Sequence, residues 1–109
     1  MAYDVRLAQR IEALLGDLPG LQEKKMFGGI GFILHGNMAC GVVGEELVVR
    51  VKPEETEALL AEPFCKPFDT YGRKMTGWVL VSAEGVDREE NLEAWVSRGI
   101  DYVGTLPEK

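Results

Sequence analysis

The sequence predicts an α+β fold in which an antiparallel sheet is preceded and followed by helices. Three observations carry this. Between Lys24 and Lys52 apolar residues alternate in short bursts separated by glycine-containing turns, whereas helical periodicity is confined to the two ends and to a short stretch after Pro53. A further β-rich run, Met75 to Ser82, returns later in the chain. Strands joined by tight turns pair antiparallel.

The first helix is expected from about Asp4 to Leu15. Asp4 suits the N-cap, and Val5, Ala8, Ile11, Glu12 and Leu15 fall on one face broken only by Glu12, with Leu7, Leu14 and Leu18 widening the apolar stripe. Gly16 stops this helix, Pro19-Gly20 turns the chain, and Leu21 to Lys25 leads into the sheet. In the first strand Ile30, Phe32 and Leu34 share one face while Gly29, Gly31 and Ile33 share the other, so the glycine face can admit a close neighbour. His35-Gly36-Asn37 forms a turn, and the returning strand sets Met38, Cys40 and Val42 opposite Ala39, Gly41 and Val43. Gly44-Glu45-Glu46 reverses the chain again, after which Leu47, Val49 and Val51 alternate with Val48, Arg50 and Lys52 to complete a three-stranded meander.

Pro53 opens a short second helix running to about Ala61, with Glu54, Glu55 and Glu57 at its positive end. Pro63 and Pro67 bracket an irregular segment, Tyr71-Gly72 reads as a turn, and Met75 to Ser82 joins the meander with Trp78 and Leu80 opposite Val79 and Val81. Asp87 and Glu90 resemble a capping box for a third helix that covers the sheet through Leu92, Trp95, Val96, Gly99, Val103 and Leu106 and ends before Pro107.

Composition bounds the function. A chain of 109 residues suits one domain, spanning residues 1–109, and buries roughly two thirds of its extended surface. Asp4, Arg6, Arg10 and Glu12 interrupt the N-terminal stretch, which lacks the continuous apolar core of a leader or a spanning helix, so a cytoplasmic protein without membrane contact is expected. A net charge of -6 makes nucleic acid an unfavourable partner, since that affinity rests on neutralising phosphates. Lys24, Lys25, Lys66, Arg73 and Lys74 could form a local basic patch, yet they read more simply as solvated positions flanking strands.

The chemical motifs are sparse. Gly28-Gly29-Ile30-Gly31 lacks the helix and the Lys-Ser/Thr pair of a phosphate loop, so its glycines are structural. His35, the single histidine, is a solvated turn residue; Cys40 is a small buried hydrophobe, and Cys65 is the better candidate for a reactive thiol. With no C-x-x-C spacing, both cysteines are expected to remain thiols. Trp78 and Trp95 are read as core anchors, and Met26, Met38 and Met75 as core fillers. No catalytic residues, metal ligands or cofactor are assigned.

Three features together resemble the signature segments of the TfoX/Sxy N-terminal domain family: Lys25-Met26-Phe27-Gly28-Gly29-Ile30-Gly31, the Gly36-Asn37-Met38 turn, and Gly72-Arg73-Lys74-Met75-Thr76-Gly77-Trp78. Their order and the terminal helix with Trp95 agree, and the resemblance covers nearly the whole chain, which reads as a stand-alone N-terminal domain; the full-length regulators carry a second, C-terminal domain. The resemblance implies a two-layer α/β sandwich similar to secretion-chaperone-like domains, with an antiparallel sheet of about four to five strands covered by N- and C-terminal helices, and a link to regulators of natural competence.

It brings no catalytic residues. The candidate interaction or structural motif is Lys25, Phe27, Gly28, Gly29, Gly31, Arg73, Lys74, Gly77 and Trp78, and the expected function is a non-catalytic module acting in transcriptional regulation through a protein partner. Two alternatives stay open. One is a small-molecule-binding protein or enzyme using Arg73, Lys74 or Cys65 beside the glycine-rich strand, and the other is direct nucleic-acid binding. A homodimer is also expected, because a small domain leaves sheet surface to cover; the segments from Gly29 to Leu34 and from Trp78 to Val81 are the places to look.

Overall fold

Asp4 does what its position predicts. Its Oδ1 accepts from the backbone N–H of Arg6 at 2.9 Å and of Leu7 at 3.2 Å, satisfying two of the donors a helix start leaves open. The computed structural model describes residues 3–26, 28–70 and 73–107, with the side chains of Met26, Asp69, Thr70, Arg73, Lys74 and Met75 outside the description. Helix α1 spans Val5–Leu15, and the strands are β1 Leu21–Met26, β2 Gly29–Leu34, β3 Asn37–Val43, β4 Glu46–Arg50, β5 Cys65–Thr70 and β6 Arg73–Val81. A 3-10 turn at Pro53–Glu55 leads into helix α2, Thr56–Leu60, and a second at Ala83–Val86 precedes helix α3, Glu89–Val103.

The strands form one antiparallel sheet in the order β1-β2-β3-β4-β6-β5. The expected β2-β3-β4 meander is present, and β6 takes a central place beside β4. The β2–β3 turn is the two residues His35 and Gly36, whose φ values of 50° and 85° match the left-handed pair that suits the twist of a two-residue hairpin. The helices lie on one face, making an α+β arrangement of two layers. Phe32, Cys40, Val42, Leu47, Val49, Val51, Val79 and Val81 meet Ile11, Leu92 and Val96 in the core between the layers.

Six strands exceed the four to five expected. β1, read as a lead-in, has no apolar face in Leu-Gln-Glu-Lys-Lys-Met, and β5, read as irregular, contains Pro67; both are edge strands, where charge and proline are tolerated. A bulge changes the face assignment in β3. Phe32 pairs with Cys40 and Ile33 with Met38, so Ala39 is the extra residue. Ala39 and Cys40 both join the packed side of the sheet, in contact with different parts of the helical layer. Met38 moves to the face of Gly41, where its Cε would lie 2.9 Å from a Cβ added at that glycine.

The third helix starts differently from the capping-box expectation. Its N-cap is Arg88, with no side-chain cap bond, because the preceding 3-10 turn carries Asp87 out of the capping position. Arg10 of α1 holds this junction instead. Its Nη2 donates to the carbonyls of Val86 at 2.8 Å and Asp87 at 3.3 Å, and its Nε to Glu89 Oε1 at 2.9 Å.

Glu23 of β1 pairs with Phe32, on the helix side, and there meets Glu12 of α1. Burial first, then the Glu12 charge and a hydrogen bond between the two side chains, raise its carboxyl above the ordinary 4.5. A carboxyl raised by folding stabilises the fold while protonated and loses that contribution as pH rises through its folded-state value. Glu23→Gln is therefore expected to be more stable than the wild type at about pH 7 and no more stable at about pH 3.5, as read from urea midpoints at the two values. A constant difference across that range would show that the pair is not responsible.

Candidate functional site: the uncovered face of the sheet

Strand alternation divides each strand between the packed face and the face that the helices leave open. On the open face the pairings trace one row across all six strands: Lys24, Gly31, Gly41, Val48, Leu80 and Lys66. A second row holds Gln22, Ile33 and Met38, and Arg50 pairs with Trp78 on the same face. Phe68 joins them, its ring centroid 6.2 Å from that of Trp78. Ile33, Met38, Val43, Phe68, Trp78 and Leu80 are each half-buried. Val48 belongs to neither cluster beneath the helices and is still 0% exposed.

The glycines explain how the strands approach. A Cβ at Gly41 would lie 2.5 Å from the Ile30 carbonyl oxygen, and one at Gly29 would overlap the Val42 carbonyl. The expected close neighbour of the glycine face is therefore the adjacent strand's own backbone.

Of the nine motif residues, Gly29, Gly31 and Trp78 share the uncovered face. Lys25 pairs with Ile30 and belongs to the opposite face, while Gly28 is a turn residue with φ 75°. Gly77, at φ 91°, is a backbone hinge: its carbonyl accepts from Val51 N at 2.8 Å and its N–H donates to Thr56 Oγ1 at 2.9 Å, tying β6 to α2. Phe27 lies outside the described residues; Arg73 and Lys74 are placed by their backbone at the start of β6. Trp78 and Trp95 are half-buried rather than core, since Trp78 faces away from the helices and Trp95 sits at the margin of the main cluster with Arg98 5.4 Å from its ring.

Cys65 is half-buried in β5, and burial followed by the Glu62 charge pushes its thiol up to about 11, against a lesser downward pull from Arg98; this is the opposite of what a reactive thiol needs. Burial pushes Cys40 up to about 12. His35 is exposed at its turn, its backbone N–H donating to the Gly20 carbonyl at 3.0 Å.

Arg50, Ile33, Val43, Phe68 and Leu80 belong to this face but not to the sequence-derived motif. Their signal was the alternation itself, which says that two faces exist without saying which one is covered. Charge is distributed unevenly as well: among the described residues the face presents Lys24, Arg50 and Lys66 against Glu46, and Lys66 Nζ lies 2.6 Å from Glu46 Oε2. No group of three or more His, Cys, Asp or Glu side chains among the described residues is arranged to hold a metal ion. A cleft of about 380 Å³ between α1 and the turn before α3 includes Arg10, whose guanidinium is already engaged in joining the two elements. No helix among the described residues is long and apolar enough to cross a membrane.

Fold and site together define a small two-layer α+β domain with one sheet face left open. The family model described as the TfoX N-terminal domain matches residues 13–102, and the chain belongs to that family. Comparisons with curated proteins and with solved structures gave no match.

Proposed function

We propose that this chain is a non-catalytic contact module acting in transcriptional regulation of the TfoX type in the cytoplasm, with the uncovered sheet face as its docking surface. The observation that carries the reading is the set Ile33, Met38, Val43, Phe68, Trp78 and Leu80, each half-buried on the face opposite the helical core, with Ile33 paired to Met38 and the Phe68 ring beside that of Trp78. Both edges of the sheet are blunted, β1 by Glu23, Lys24 and Lys25 and β5 by Pro67 and a bulge beside it, which disfavours strand addition and leaves the face as the surface for association. Membership of the TfoX N-terminal domain family supports the regulatory setting.

The test is a capture experiment from extract of the native cells. The tagged wild type is compared with the double variant Ile33→Ser/Leu80→Ser and with Glu93→Lys, an exposed change on α3. The expected result is a protein retained by the wild type and by Glu93→Lys but reduced at least tenfold on the double variant, with all three chains equally folded by thermal melting. Equal retention by all three would overturn the reading.

A further inference from the structure

The chain carries -6 overall, yet the described part of its uncovered face holds three cations and one carboxylate. The excess acid is elsewhere: α3 alone contributes Glu89, Glu90, Glu93 and Asp101, and the Pro53 turn with α2 contributes Glu54, Glu55 and Glu57. Lys24 and Lys66 stand at opposite ends of the row through Gly31, Gly41, Val48 and Leu80. Five strand spacings separate them, roughly 24 Å, or about four turns of helix laid across the strands.

Arg50 is the organised cation of the three. Its guanidinium carbon lies 5.6 Å from the centroid of the Trp78 ring and 5.8 Å from that of Tyr102 in the last turn of α3, and no carboxylate among the described residues pairs with it. Contact with rings from β6 and from α3 places the guanidinium where this face meets the last turn of α3 and limits the freedom of a long side chain, and a planar fork of donors matches a carboxylate. Charge-assisted pairing beside half-buried apolar side chains is the composition of an interface hot spot.

We propose, building on the contact-module reading, that the partner's contribution is an acidic amphipathic helix. Its apolar side lies on Ile33, Met38 and Leu80, a carboxylate pairs with Arg50, and a further acidic residue meets Lys24, since Lys66 is already paired with Glu46. Charge complementarity favours this occupant over a second copy of the chain, because a two-fold pairing of the same face would bring together two surfaces whose described charges have the same net sign. The homodimer expected from an open sheet is therefore the competing outcome.

Three fluorescein-labelled peptides of about sixteen residues, matching the length of the row, decide it. They share one leucine face and carry Glu, Gln or Lys on the other. Anisotropy titrations are expected to give the Glu peptide at least tenfold tighter binding than the Gln or Lys peptide at low salt, with the advantage shrinking as salt is raised. Arg50→Gln is expected to weaken the Glu peptide at least fivefold, and Lys24→Gln, which leaves the aromatic contacts and the Lys66–Glu46 pair intact, to reduce the salt dependence. Glu93→Gln on the helical layer should change neither.

Binding that ignores peptide charge, or no binding of any peptide, overturns the acidic-helix proposal; the contact-module reading is judged separately by the capture experiment. Light scattering adds the remaining alternative. A mass twice that of one chain, lost in Ile33→Ser/Leu80→Ser, would assign the face to a second copy and overturn the proposal as well.

Discussion

Phe32→Ala is expected to lower the stability by about 3–5 kcal/mol, the usual cost of truncating a large buried aromatic and leaving a partly collapsed cavity. Phe32 is 0% exposed and heads the fully buried side chains by volume, in one cluster with Ile11 of α1, Cys40 of β3 and Leu92 of α3. Its ring thus links the N-terminal helix, the meander and the C-terminal helix. Domains are typically stable by only about 5–15 kcal/mol, so a loss of this size moves the urea midpoint far toward zero. A measured loss below about 1 kcal/mol would contradict this placement of the ring in the core.

Gly99 provides the second large effect, and there two terms oppose each other. Alanine in the interior of a helix is favoured over glycine by about 1 kcal/mol. The first atom of any side chain at Gly99 would lie 2.5 Å from the Ala39 carbonyl oxygen and 3.3 Å from Val49 Cγ1, so α3 would have to move off the sheet and loosen Leu92, Val96 and Val103 beneath it. Overpacking of a filled core costs about 1–3 kcal/mol and more when backbone must shift, which outweighs the propensity gain. Gly99→Ala is therefore expected to be destabilised by about 1–2 kcal/mol and Gly99→Val by about 3 kcal/mol, the β-branch adding volume and helix cost. Thermal melts of the two variants check it, and an alanine variant as stable as the wild type would show that α3 does not rest on Ala39.

The elements with a clear period were legible from residues alone. Asp4 caps α1, glycine turns separate β2, β3 and β4, and β6 follows its alternation of Trp78 and Leu80 against Val79 and Val81. β1 and β5 were not, because an edge strand is held by backbone pairing on one side and needs no apolar face; Lys24 and Lys25 erase the alternation of β1, and Pro67 is tolerated at the edge. The bulge at Ala39 was likewise invisible, since strict alternation assigns every residue to a face and an extra residue resets the count. Trp78 had the right period but the wrong depth, because alternation put it opposite Val79 without saying which of the two faces the helices would cover.

The same distinction separates the candidate site from the motif that suggested it. Local sequence determined the class of fold, the meander, the capped first helix and the glycine positions, since periodicity, turn chemistry and capping act between neighbours along the chain. Only the tertiary structure decided which sheet face stays open, that Lys24 and Lys66 close the two ends of one row, and that Arg50 rests between Trp78 of β6 and Tyr102 of α3. These depend on where α3 lands and on the register between strands far apart in sequence, and such nonlocal pairings leave no trace in the periodicity of any one segment.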